Sequence, residues 1–228
     1  DKEHCLLLVN DLTTPCRTLA EPGDDGRVPG WADYQESAEE LNYRAELGTL
    51  GQALADQGIP AVGIGPGAAI ALADSEGYPT EHHPRPGTKE ELATQVQHAA
   101  STADLLVIDA GALRPVPRPH REEHTDEGAP LINPEDPDVH RAEQLELIDS
   151  RVGAVLTGLE AEAAGTAPVV VLAGLADDGS SGLRVLAVTG ADGEDGLGTS
   201  AATRQSGYVM TTDLLPTLLS ILDAQPVT

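Results

Sequence analysis

Apolar residues in this chain fall into short unbroken runs, separated by longer stretches in which they recur every three or four positions. Leu6–Asn10 (LLLVN), Ile59–Ile64, Leu105–Ile108, Val169–Leu175 (VVVLAGL) and Leu183–Thr189 have strand length. Continuous rather than alternating apolarity, clearest in Val169–Leu175, marks strands covered on both faces, the habit of parallel sheets. Leu183–Thr189 reads as the neighbour of Val169–Leu175 across a Gly/Ser turn. The stretches between predict helices. Over Tyr34–Gln57, Ser37 with Glu40 forms a capping box, Ala38, Leu41, Ala45, Leu47, Leu50 and Leu54 share a face, and Gly58 ends the helix. Thr88–Glu91 is a second capping box, opening a helix that shows Leu92, Val96 and Ala99 on one face. Asp138–Ala164 presents Leu145, Ile148, Val152, Val155 and Leu159 at helical spacing. In the last helix Thr211 or Thr212 offers a hydroxyl cap, Pro216 falls in the first turn, and Leu215, Leu218 and Leu222 face inward. Alternating strands and helices predict one α/β domain over residues 1–228, with a mostly parallel central sheet and helices on both faces.

Polar residues cluster where these strands end. Asp11, Thr13 and Thr14 follow the first run, Asp109 the third, and Asp177-Asp178-Gly179 the fourth. Open α/β sheets hold ligands at their carboxyl edge, so Asp11, Asp109 and Asp177 are expected together on one edge of the sheet. Pro15–Gly30 reads as a loop. Pro115–Pro137, with six prolines, reads as a Pro-rich surface excursion or lid within the domain.

Charge narrows the function classes. The chain has 38 acidic and 13 basic residues, a net charge of −25, which repels nucleic acid and anionic headgroups from most of its surface. The same acidity concentrates cations, suits high salt, or serves only as a well-solvated surface, the most ordinary of these readings. Phe is absent and aromatics make up 2% of residues, so the core is aliphatic and stacking platforms for bases are scarce. No apolar run approaches the roughly 18 to 20 residues that span a bilayer, and Asp1–His4 does not read as a signal peptide.

Four pieces carry a family resemblance: Thr212–Leu219 with Ile221-Leu222; Val28-Pro29-Gly30-Trp31; Leu47–Gly51 with Gly65–Ala69; and Thr199-Ser200 with Thr203-Arg204-Gln205. The first resembles a signature near the end of the alkaline-phosphatase superfamily core. More narrowly, the other three together resemble a bacterial family of membrane-anchored proteins with an extracytoplasmic alkaline-phosphatase-like domain. The likeness runs from about Cys16 to the C-terminus and is thinnest between Pro79 and Pro137. It implies a three-layer α/β/α fold on the extracytoplasmic face of the membrane, attached through segments outside this chain. It also implies a Thr nucleophile, Thr13 or Thr14, and divalent metal held by Asp11, Asp177 and Asp178. The sequence departs from that pattern: Asp177-Asp178-Gly179 stands where the superfamily commonly has Asp-His-Gly, no histidine follows His140, and the segment between nucleophile and first helix is short. Two readings follow, a degenerate site with a binding or structural role and a metal-dependent phosphoester or sulfate ester hydrolase. Neither assures a cofactor, since oxygen ligands alone suit Mg²⁺ or Ca²⁺ while strand-end Asp residues are also ordinary turn chemistry. An external location favours a Cys5–Cys16 disulfide over two unrelated buried thiols.

Other motifs have plainer explanations. His120-Arg121-Glu122-Glu123-His124 matches a zinc pattern that works only on a helix, but its proline-rich flanks predict an exposed loop. Gly63–Ala68 matches a dinucleotide fingerprint and reads more simply as a tight strand-to-helix turn. His82-His83, next to Pro84, reads as surface.

Overall fold

A computed structural model describes residues 19–40, 45–113, 137–162, 167–175, 183–190 and 196–225. Helices α1 (Trp31–Glu40) and α2 (Thr49–Gln57) precede β1 (Ala61–Ile64), α3 (Pro66–Leu72), β2 (Glu81–His83), α4 (Lys89–Ala100) and β3 (Leu105–Ile108). Then come α5 (Pro137–Glu162), β4 (Val170–Ala173), β5 (Leu186–Thr189), a 3₁₀ turn (Thr211–Asp213) and α6 (Leu214–Ile221). The protein is α/β: β2, β1 and β3 form a parallel sheet in that order, with Ile64 level with His83 on one side and Ile108 on the other.

Side chains of β1 and β3 divide by the two-residue period of a pleated strand. Ile64, Leu106 and Ile108 pack with Leu92, Val96, Ala154 and Val155 of α4 and α5. Ala61, Leu105 and Val107 pack with Leu50 and Leu54 of α2, Leu72 of α3, and Leu222 just past α6. The continuous apolar runs at β1 and β3 thus have their predicted cause. Thr88 caps α4 as its spacing foretold: its hydroxyl accepts from the Glu91 N–H, and the Glu91 carboxylate accepts from the Thr88 N–H. Leu92, Val96 and Ala99 are all buried.

The structure corrects four expectations. The helix expected over Tyr34–Gln57 is two helices, with Ser37 inside α1 instead of capping it. Gly48 is left-handed (φ 86°), and a Cβ there would stand 2.4 Å from the Asp74 carbonyl, so the backbones of α2 and the 73–75 loop touch where only glycine fits. On α5, Leu145 is 47% exposed. Val155 and Leu159 of the expected face do pack against this core, and the face that meets α4 also runs through Ala154 and Gly158, whose small size brings the helices close. Asp213 has no hydroxyl cap over it; its own carboxylate accepts from the Met210 N–H, and Leu219 is the most buried residue of α6. Finally, β4 pairs antiparallel with β5, the two forming, among the described residues, a sheet of their own apart from the parallel one, and the residues of β4 are half-exposed or exposed. An apolar run specifies burial demand and not the direction of its neighbour, and a strand following closely in sequence pairs most readily as a hairpin.

Candidate functional site

The three parallel strands end together, and the residues just beyond them converge. Asp109, directly after β3, is the hub. Its Oδ2 accepts from the Gly67 N–H (3.0 Å) and its Oδ1 from the Gly111 N–H (2.8 Å). Arg85, beyond β2, places Nη1 3.2 Å from Oδ1 and donates from the same nitrogen to the Asp109 carbonyl (2.9 Å). Arg151 reaches in from α5 and donates to the Ala110 carbonyl (2.9 Å). Burial first, then the nearby Arg85 cation, lower the basicity of Arg151, while the Asp109 carboxylate opposes both.

The glycines of Gly63–Ala68 make the tight turn their spacing allows. Gly65 adopts φ 90°, and Cβ atoms at Gly65 and Gly67 would fall 3.2 Å and 3.0 Å from Asp109 atoms. A dinucleotide fingerprint would bring a phosphate to this backbone; here the Asp109 carboxylate already lies there.

His82 differs from the surface residue its neighbours foretold. It lies on β2, the outer of the described parallel strands, with its side chain 9% exposed, Nε2 3.2 Å from the Gly65 carbonyl and 3.1 Å from Glu21 Oε2. Both neighbours are acceptors, so Nε2 carries the proton. The Gly65 carbonyl takes the hydrogen bond; the approach to Glu21 has ion-pairing distance without hydrogen-bond geometry, and Oε2 is a buried atom with no hydrogen-bond partner. The other Glu21 oxygen accepts from the Arg85 N–H (3.2 Å). Glu21, His82 and Arg85 were missed in the sequence because nothing in a three-residue polar strand signals that it borders the parallel sheet.

Asp109 stands at the carboxyl end of its strand, as expected. Asp11, Thr13, Thr14, Asp177 and Asp178 lie outside the described residues, as do Cys5, Cys16 and the His120–His124 motif. Among the described residues no group of three or more His, Cys, Asp or Glu side chains is arranged to hold a metal ion, and no helix is long and apolar enough to cross a membrane.

The remaining motifs serve packing. Trp31 is 1% exposed, donates from Nε1 to the Ser75 carbonyl (3.1 Å), and lies against Gly77, where a Cβ would come within 2.5 Å of the indole. Gly51 brings α2 against the Leu72 and Ala73 carbonyls. Ser200 is buried and its hydroxyl accepts from the Ala202 N–H, while the Thr203 hydroxyl donates to the Tyr208 carbonyl (2.8 Å) and Arg204 takes a left-handed conformation (φ 54°). These bonds close the 200–208 loop on itself. No protein-family model, curated protein or solved structure matches the chain.

Proposed function

We propose that this chain is an extracytoplasmic, three-layer alkaline-phosphatase-like module of a bacterial membrane protein, with a degenerate catalytic site and a binding or structural role. The observation that carries the degenerate reading is the engagement of Asp109. A carboxylate at the end of a central strand is the group a hard cation would recruit, yet both Asp109 oxygens are taken by Gly67, Gly111 and Arg85. Recruiting it would break an ion pair and strand two backbone donors. Helices over both faces of a parallel sheet support the layered fold, and the acidic surface argues against nucleic acid as a partner. The membrane attachment belongs to segments outside this chain.

Activity assays test the reading. The purified chain, and the complete extracytoplasmic region, should hydrolyse phosphomonoesters, phosphodiesters and sulfate esters no faster than background with Zn²⁺, Mn²⁺, Mg²⁺ or Ca²⁺ supplied. Thr13→Ala and Thr14→Ala should change nothing. A metal-dependent rate that vanishes in either variant, or in Asp178→Ala, would establish the hydrolase instead.

A further inference from the structure

Three glycines and two arginines surround one carboxylate at the carboxyl edge of the parallel sheet. Gly65 and Gly67 follow β1, Arg85 follows β2, Asp109 and Gly111 follow β3, and Arg151 arrives from α5, so every strand of that sheet contributes. The glycines make the room. A Cβ on Gly65 would stand 3.2 Å from the Asp109 Cβ, one on Gly67 3.0 Å from Oδ2, and one on Gly111 2.9 Å from Arg151 Nη1. Backbone N–H groups and guanidinium groups therefore line the space that the carboxylate fills.

This donor set is that of an oxyanion site. Gly67 donates to one carboxylate oxygen and Gly111 to the other, and Arg85 Nη1 lies 3.2 Å from the second. Guanidinium groups, and backbone N–H groups turned into a concavity, are how proteins grip an anion supplied from outside. Arg151 adds a second cation, bonding the Ala110 carbonyl as Arg85 bonds that of Asp109. The Asp109 and Arg85 side chains are 16% and 21% exposed, so water weakens their attraction less than at the surface.

The position points the same way. Open α/β sheets receive ligands beyond the carboxyl ends of their strands, and Gly63–Ala68 has the spacing that in a dinucleotide fingerprint brings a ligand's phosphate to the backbone. The anion here is the chain's own. Local charge suits a single negative group: Arg85 and Arg151 face the Asp109 carboxylate, while Glu21, the other acid at this edge, meets the Arg85 N–H and His82.

We propose that the carboxyl edge is a carboxylate-binding site that the chain keeps filled with Asp109, an internal ligand standing where a small external monocarboxylate would bind. Tethered beside its donors, Asp109 has an effective concentration far above that of free carboxylates, which keeps the native site closed to them. Occupancy by Asp109 deepens the degenerate-site reading and rests on it for function. Anion binding and ester turnover are separate readouts, so either can fail alone.

Truncation separates the site from its occupant. Asp109→Ala removes the carboxylate and keeps the Cβ, leaving a space the size of formate. Formate at about 0.1 M should raise the variant's melting temperature by about 3 °C or more over chloride at equal ionic strength. The Gly67 and Gly111 amide resonances should shift saturably in the same titration. If the variant is unfolded in chloride, formate should fold it. The native chain, and Asp109→Asn, whose amide fills the space, should show no saturable shift at either glycine. A formate effect no larger than that of chloride in Asp109→Ala would overturn the proposal, whether that variant starts folded or unfolded. Formate shifts of equal size in the native chain or in Asp109→Asn would overturn it as well, because the site would then not be held by its own side chain.

Discussion

The Gly67 N–H donates to Asp109 Oδ2 at 3.0 Å, fastening the start of α3 to the end of β3 across 42 positions of sequence. With Gly111 on Oδ1 and Arg85 beside it, one carboxylate ties together the three connections that leave the parallel strands. Asp109→Ala should therefore destabilise the fold by about 2–3 kcal/mol, since it strands two N–H donors and a part-buried guanidinium. Asp109→Asn, which keeps the shape and one acceptor, should cost less. Urea unfolding of both variants checks the order, and equal stability of Asp109→Ala and the parent would refute the clasp.

Two glycines on α5 make opposite predictions. Helix propensity favours Ala over Gly by about 1 kcal/mol. At Gly153 nothing lies within 4 Å of an added Cβ, so Gly153→Ala should stabilise by up to that amount. At Gly158 the Cβ would stand 2.5 Å from the Ala93 carbonyl of α4. Gly158→Ala should lower the melting temperature because the helices must separate, and strain of about 1–3 kcal/mol exceeds the propensity gain.

The Thr88 capping box is exposed and makes a clean local test. Thr88→Ala removes the acceptor for the Glu91 N–H and should cost about 1 kcal/mol. Thr88→Ser should restore most of it, as read by thermal unfolding followed by circular dichroism.

Tyr34 predicts a weakness at high pH. Its ring meets Trp31 edge-on, with centroids 6.5 Å apart, and burial, with Asp33 second, raises its phenol above the usual value. The folded state thus holds this proton more tightly than the unfolded state. The contribution is intact below about pH 10, the unfolded value, and is lost as pH rises through the higher folded value. Unfolding free energies from pH 9 to 11 should fall more steeply in the parent than in Tyr34→Phe. Equal slopes would contradict the assignment.

What the sequence determined alone was whatever depends on neighbours a few positions away. Thr88 and Glu91 cap α4 because both partners lie within one turn, and Leu105–Ile108 forms a strand covered on both faces because four consecutive aliphatic residues have few other ways to leave water. Asp109 at the end of that strand followed directly. What only the tertiary structure decided was partnership. The break between α1 and α2 depends on Gly48 meeting Asp74, and the burial of His82 on Gly65 and Glu21, residues that local periodicity does not connect. The antiparallel pairing of β4 with β5 and the closing of Asp109 by Gly67 and Arg85 are contacts of the same kind. Periodicity records how much surface a segment must bury, whereas the identity of the covering group is set by chain topology and by backbone donors that every residue carries alike.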